Sequence, residues 1–138
     1  MEATHIKHKE RFNQFQNFSN IQFGKLRPID IDGFLEINNR LFIFLECKSG
    51  TTPLSKGQRI ALERLTTAIE ADPEKLAFCI IARHNTPAYL DVDTGNSLVH
   101  TYRHKGKWHD VSELEYTVHD FIQSLIHAYI GKDNEDAP

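Results

Sequence analysis

Three ionisable residues occupy positions that the period of a β-strand would bring together. Glu46 and Lys48 stand two apart in the apolar run LFIFLECKS, and Asp32 precedes them in IDIDGFLEI. Alternate residues of a strand share one face of a sheet. Hydrolysis of a phosphodiester needs carboxylates that hold a divalent cation and a cationic group near the attacking water. The spacing therefore predicts a metal-dependent phosphodiesterase site in which Glu46 and Lys48 share a face, and Asp32 could complete the oxygen ligands of a Mg²⁺ ion.

The run from residue 41 to residue 47 is apolar on both faces except at Glu46, which is typical of a strand buried on both sides. A carboxylate and an ammonium group at the end of such a strand are costly unless they are paired or bound to a metal. The burial argument thus supports a chemical role for Glu46 and Lys48. The alternative is a structural ion pair of Lys48 with Glu46 or with Asp32.

A predicted hairpin turn decides whether the two carboxylates meet. Opposed residues of a hairpin point to the same face. A two-residue turn would set Asp32 opposite Leu45, on the wrong face, whereas a three-residue turn over residues 38–40 sets it opposite Glu46. Asn38 and Asn39 both tolerate the positive φ that tight turns need. We therefore predict the odd-length turn, or a bulge, between the two strands.

The remaining patterns predict an α/β fold: a mixed central sheet, made of a β-hairpin plus a parallel crossover strand, flanked by helices. A helix that begins at Ser55 separates two buried strands, which indicates a right-handed crossover with parallel strands. Gln58 stands three residues after Ser55, as in a capping box. Further predicted elements are a helix over 5–18, a strand over 29–37, short strands over 89–92 and 98–103, and a last helix opened by Ser112-x-x-Glu115.

Composition bounds the class of protein. The 138 residues are 40% hydrophobic and 25% charged, which predicts one globular domain over 1–132 and an acidic disordered tail over 133–138. No apolar run approaches the roughly 20 residues of a membrane span, and no secretory pattern opens the chain. We therefore expect an intracellular, cytoplasmic protein without a membrane partner.

The net charge of −3 argues against a protein that coats nucleic acid by bulk attraction. The charge is nevertheless unevenly spread, and among the clustered basic residues those expected to contact a nucleic acid are Lys9, Arg11, Lys56 and Arg59. Trp108 is expected either to close a hairpin on the core or to stack on a base. His100, His104 and His109 match no common zinc spacing.

Asp32-Gly33, Glu46-Cys47-Lys48 and Gln58 in the following helix resemble the PD-(D/E)XK nuclease superfamily. The resemblance covers about residues 5–85 and implies a restriction-endonuclease-like core. The glutamine in LSKGQ is similar to that of the virus-type replication-repair nuclease module and of archaeal-type Holliday-junction resolvases. The resemblance implies a Mg²⁺-dependent DNA endonuclease of repair or recombination, selective for branched or structured DNA and working as a homodimer.

By the same resemblance Asp32 and Glu46 would bind the metal, Lys48 would orient or activate the water, and Gln58 would support water or phosphate. The sequence departs from the usual proline–aspartate pair, because Pro28-Ile29-Asp30 precedes Ile31-Asp32-Gly33. Asp30 and Asp32 have the same parity, so either could be the ligand. Glu10 could match an extra acidic residue of some members. A non-catalytic nucleic-acid-binding or assembly protein on the same fold, or a hydrolase of RNA, is the alternative, and Gln58 could serve only as part of the helix cap.

Overall fold

The computed structural model describes residues 14–131, which divide into a short N-terminal segment up to Asp30 and a compact unit from Ile31 onward. The segment contains one turn of 3₁₀ helix, Ser19–Ile21. The prediction of a helix over 5–18 is wrong for residues 14–18, which have no regular structure. The Asn17 side chain accepts a hydrogen bond from the N–H of Ser19, a local turn that competes with helix. The rest of that predicted helix and the predicted tail over 133–138 lie outside the described residues.

The compact unit is built on one five-stranded sheet. Its strands follow each other in space as they do in sequence, and they are β1 (Gly33–Ile37), β2 (Leu41–Ser49), β3 (Leu76–His84), β4 (Leu98–His104) and β5 (Lys107–Asp110). Strands β2 and β3 are parallel, and the other three neighbouring pairs are antiparallel. The predicted α/β class, with a hairpin joined to a parallel crossover strand, is confirmed.

Two helices cover the two faces of this sheet. Helix α1 (Lys56–Glu70) connects β2 to β3, and helix α2 (Val118–Tyr129) follows β5. Neighbouring residues of β2 and β3 point to opposite faces, so each strand supplies both cores. The core on the α1 face holds Phe44, Leu62, Cys79 and Ile81, and the core on the α2 face holds Ile43, Phe78, Ile80, Val99, Val118 and Leu125. Neither helix is long and apolar enough to cross a membrane.

Two local predictions after β3 are wrong. Residues 89–92 form a turn and an irregular stretch rather than a strand, and the N–H of Leu90 bonds back to the carbonyl of Pro87. Ser112 does not cap the last helix, because its hydroxyl and its N–H both donate to Asp110. Thr117 caps α2 instead and accepts the N–H of Asp120 at 3.1 Å.

Candidate active site

The hairpin between β1 and β2 has the predicted odd-length turn. Phe34 pairs with Phe44 and Ile37 pairs with Leu41, which leaves three turn residues. Asn38 and Asn39 take φ values of 54° and 55°, the left-handed conformation that asparagine tolerates best among non-glycine residues. The register, continued by one residue beyond β1, sets Asp32 opposite Glu46.

Two hydrogen bonds join the Asp32 end of the hairpin to β2. The backbone N–H of Asp32 donates to Oε1 of Glu46 at 3.3 Å. In return, Oδ2 of Asp32 accepts the backbone N–H of Cys47 at 2.8 Å. The structure therefore brings together the two carboxylates that the sequence assigned to the metal, on the face of the sheet that α1 covers.

The electrostatics of Glu46 are unusual for a carboxylate. Glu46 is 1% exposed, and it pairs with Ile81, a residue of the α1-face core. Burial, together with the charge of Asp32 and a hydrogen bond to it, raises the pKa of Glu46 to about 7, although Lys48 partly opposes this shift. Two carboxyl groups at this spacing cannot both ionise cheaply without a cation. A divalent cation held by both oxygens would remove that cost.

Lys48 lies on β2 two residues beyond Glu46, and it is half-buried on the same face. In the parallel pairing it stands opposite Arg83, the penultimate residue of β3. The guanidinium of Arg83 donates to the carbonyl of Thr52, which ties the β2–α1 loop to β3. The cationic residues Lys48 and Arg83 are therefore neighbours at the carboxyl ends of β2 and β3, next to the carboxylates.

Gln58 is the third residue of α1 and is half-buried. Its backbone N–H donates to Oγ of Ser55 at 3.2 Å, which confirms the predicted helix cap. It stands one turn before Leu62, which packs against Phe44 and Ile81 on the α1 face. Gln58 is thus on the side of the helix that faces the sheet, and its role toward water or phosphate stays a prediction.

Lys56 and Arg59, both expected to contact DNA, are exposed on the first turn of α1. The Nε atom of Arg59 lies 3.4 Å from Oε2 of Glu63, and its guanidinium carbon lies 5.6 Å from the centre of the Trp108 ring. The ring packs against the α1-face core, which confirms the structural role expected of Trp108.

Four further residues are predicted to contribute to the site or to DNA binding, namely Asp30, Lys9, Glu10 and Arg11. Asp30 belongs to the N-terminal segment, whereas Asp32 belongs to the compact unit. Lys9, Glu10 and Arg11 lie outside the described residues. The contribution of Asp30 and Glu10 as extra acidic residues, and of Lys9 and Arg11 to DNA binding, therefore stays a prediction.

Sequence reasoning missed Arg83. The signal was present, since Arg83 ends the apolar run LAFCIIA as Lys48 ends the run of β2. The same burial argument that singled out Lys48 applies to it. The two strands are parallel and in register, which places both cations at one edge of the sheet.

The donor set for a cation consists of the two carboxylates. Among residues 14–131, no group of three or more His, Cys, Asp or Glu side chains could hold a metal ion. Mg²⁺ keeps several of its waters and is often bound through only one or two carboxylates, so Asp32 and Glu46 fit it. No family model, curated protein or solved structure matches this chain.

Proposed function

We propose that this protein is a Mg²⁺-dependent DNA endonuclease of the PD-(D/E)XK type, which hydrolyses phosphodiester bonds at the end of β2. The observation that carries the proposal is the apposition of Asp32 and Glu46 by a three-residue turn, with Lys48 on the same face. A buried carboxylate whose charge is opposed by a second carboxylate suits a cation site better than a packing role.

The residues divide the chemistry between them. Asp32 and Glu46 would hold Mg²⁺, which supplies charge stabilisation at the phosphate and a bound water of lowered pKa. Lys48 would orient the attacking water or balance the charge that develops on the phosphate oxygens. Gln58, on the sheet-facing side of α1, would support the water or the phosphate by hydrogen bonds. Mn²⁺, also an oxygen-binding ion, would replace Mg²⁺.

The first turn of α1 supports a polyanionic substrate. It contains no acidic residue but holds Lys56 and Arg59, both exposed. Cations are disfavoured at the positive end of the helix macrodipole, by about 0.3–1 kcal/mol each. A phosphate near this turn would reverse the sign of that interaction. Selectivity for branched DNA is supported only by the resemblance of Gln58, and action in repair or recombination by the same resemblance.

One observation favours a second candidate, a non-catalytic nucleic-acid-binding or assembly protein. The Asp32 carboxylate already accepts the N–H of Cys47, and Glu46 already accepts the N–H of Asp32. Carboxylates satisfied in this way could serve to lock the hairpin onto β2 rather than to bind a metal.

A cleavage assay separates the two candidates. The full chain would be incubated with Mg²⁺ or Mn²⁺ on single-stranded, duplex, flap and junction DNA, and on RNA of matching sequence. We expect cleavage of DNA that EDTA stops and that Lys48→Ala reduces by at least about 100-fold. Lys107→Ala is the matched control, since Lys107 is an exposed lysine of β5. Folded protein that cleaves none of these substrates and binds neither metal would favour the non-catalytic candidate.

A further inference from the structure

A cavity of about 280 Å³ opens on the α1 face of the sheet, and Ile81 in its lining pairs with Glu46 of β2. The β2–α1 loop contributes Leu54, and α1 contributes Arg59. The sheet contributes Arg83, His100, Thr101 and Trp108, from its strands β3 to β5. The volume is slightly below the roughly 300–1,000 Å³ of pockets for drug-sized ligands, so the cavity suits one small, flat group with a charged appendage.

A β-bulge shapes the floor of this cavity. Ile81 pairs with Thr101, but the next residue of β3, Ala82, pairs with Val99, which leaves His100 as the extra residue of β4. The bulge allows His100 and Thr101, which are adjacent in sequence, to line the same cavity, although an unbroken strand would send them to opposite faces. Bulges are frequent next to functional sites, where they redirect a side chain.

The aromatic wall is held in place by hydrogen bonding. Nε1 of Trp108 donates to Oε2 of Glu63 at 2.6 Å, and the hydrogen bond to Trp108 is the main reason that the pKa of Glu63 is lowered. The same carboxylate accepts a hydrogen bond from the Nε–H of Arg59 at 3.4 Å. Glu63 thereby orients both the indole ring and the guanidinium above it, a pair that resembles the platforms on which proteins stack nucleic-acid bases.

The charge around the cavity favours an anion. Arg59 of α1 and Arg83 of β3 both line it, and the Arg59 side chain is 57% exposed. Arginine binds phosphate through planar, paired hydrogen bonds, and it also stacks on aromatic rings. A cavity lined by an aromatic ring and two guanidiniums is suited to a nucleotide more than to an apolar ligand or a cation.

The cavity adjoins the proposed cleavage site by one strand. Ile81, which lines the cavity, stands opposite Glu46 in the parallel pairing, and Arg83 stands opposite Lys48. Neighbouring strands lie about 4.8 Å apart, so a nucleotide in the cavity would be close to a phosphate at the carboxylates.

We propose that this cavity binds one unpaired nucleotide of the DNA substrate, with its base against Trp108 and its phosphate at Arg59 and Arg83. The inference rests on the proposed function for its choice of DNA as the ligand. It adds a requirement that the nuclease proposal does not contain, namely that one nucleotide next to the cleaved bond leaves the duplex or is single-stranded. The base would be accepted with little regard to sequence, since every base offers a face for stacking.

The chain offers a direct probe, because Trp108 is its only tryptophan. The full chain in EDTA, where cleavage cannot occur, would be titrated with a single-stranded oligodeoxynucleotide of about 12 residues. Binding would be followed both by the fluorescence of Trp108 and by the anisotropy of a dye on the DNA. We expect saturable quenching of Trp108 with the same midpoint as the anisotropy change.

Matched variants test the assigned roles. Arg59→Gln should weaken binding by about tenfold, whereas Arg64→Gln, the same charge change at an exposed position of α1 that does not line the cavity, should weaken it by less than about twofold. Trp108→Phe should retain most of the affinity in the anisotropy assay, and Trp108→Leu should lose about tenfold. Thermal unfolding of each variant shows whether it is folded. If Trp108→Leu does not fold, the test depends on Arg59→Gln, which changes an exposed residue.

The outcomes separate this inference from the proposed function. Anisotropy binding that leaves Trp108 unquenched, or equal losses for Arg59→Gln and Arg64→Gln, would overturn the cavity assignment even if the protein cleaves DNA. Quenching with the expected pattern in a protein that does not cleave would support the cavity and remove the nuclease proposal. Cleavage of fully paired duplex as fast as of single-stranded DNA would also contradict the inference, because unpairing a nucleotide of a duplex costs free energy that single-stranded DNA does not require.

Discussion

The backbone N–H of Asp32 donates a 3.3 Å hydrogen bond to Oε1 of Glu46, fourteen residues further along the chain. The contact exists because the turn between β1 and β2 contains three residues, which brings both side chains to the α1 face. Asp32 is exposed, whereas Glu46, whose carboxylate accepts this bond, is 1% exposed. The pair therefore combines access for a solvated cation with a low-dielectric wall, which strengthens any charge held between them.

Metal binding should separate the two candidate aspartates. We expect Asp32→Asn to weaken binding of Mn²⁺ by at least about tenfold, because it removes one of two carboxylates at the site. Asp30→Asn should leave the affinity within about twofold. Isothermal titration at neutral pH, with Mn²⁺ in place of Mg²⁺, measures both. The reverse ranking would assign the metal to Asp30 and leave Asp32 as a residue that only fastens the hairpin to β2.

Glu46 should make the stability of the metal-free protein depend on pH. Its pKa rises from 4.5 to about 7 on folding, mainly because of burial, so the folded chain holds this proton more tightly than the unfolded chain. The stability that the proton contributes is complete below about pH 4.5 and is lost as the pH rises through about 7. The loss amounts to at most about 3 kcal/mol in the free energy of unfolding.

Glu46→Gln removes this dependence, since the amide does not ionise. The measurement is urea unfolding in EDTA, from about pH 5 to about pH 8. As the pH rises, the free energy of unfolding of the variant should increase relative to that of the native chain. Added Mg²⁺ should restore the stability of the native chain at high pH and leave the stability of the variant unchanged. If the difference in free energy of unfolding between the two chains stays constant across this range, ionisation of Glu46 does not destabilise the metal-free protein.

The buried Arg103 allows a test of the packing between the sheet and α1 that does not involve the proposed site. Arg103 is 8% exposed on β4, and its Nη1 donates to Oγ1 of Thr66 at 2.6 Å across the sheet–helix interface. We expect Thr66→Val to lower the free energy of unfolding by about 1–3 kcal/mol, because it leaves a buried donor poorly satisfied. Thr67→Val, which removes a 3.2 Å bond to the same guanidinium at an exposed position, should cost less. Cleavage per folded molecule should stay unchanged in both, and a loss of cleavage would connect Arg103 to the site.

Features set by local sequence could be predicted. The burial of β2 and β3 on both faces is evident from their apolar runs, and Asn38 and Asn39 indicate the hairpin. The three-residue length of its turn follows from the requirement that Asp32 and Glu46 share a face. The cap of α1 by Ser55 is likewise local. These features together gave the parallel crossover and the meeting of Asp32 with Glu46.

Features that depend on contacts between distant residues could not be predicted from the sequence. Ser112-x-x-Glu115 predicts the cap of α2, but Thr117 caps it, and the N–H of Val118, the first residue of α2, donates to the carbonyl of the distant Ser97. On α1 the apolar Leu65 is 38% exposed, whereas the polar Thr66 is buried and accepts a hydrogen bond from Arg103, 37 residues away. No period in the sequence encodes such a pairing of a threonine with a distant arginine.

The length of the hairpin turn should control activity independently of the side chains of the site. Deletion of Asn39 leaves a two-residue turn, which shifts β1 by one residue and sends Asp32 to the face opposite Glu46. We expect a folded protein, since β1 is an edge strand, with metal affinity reduced by at least about tenfold and no measurable cleavage. Asn39→Gly is the control, because glycine accepts the φ of 55° and keeps the register. A deletion variant that still binds Mn²⁺ and cleaves like the control would show that the Asp32–Glu46 apposition is not the site.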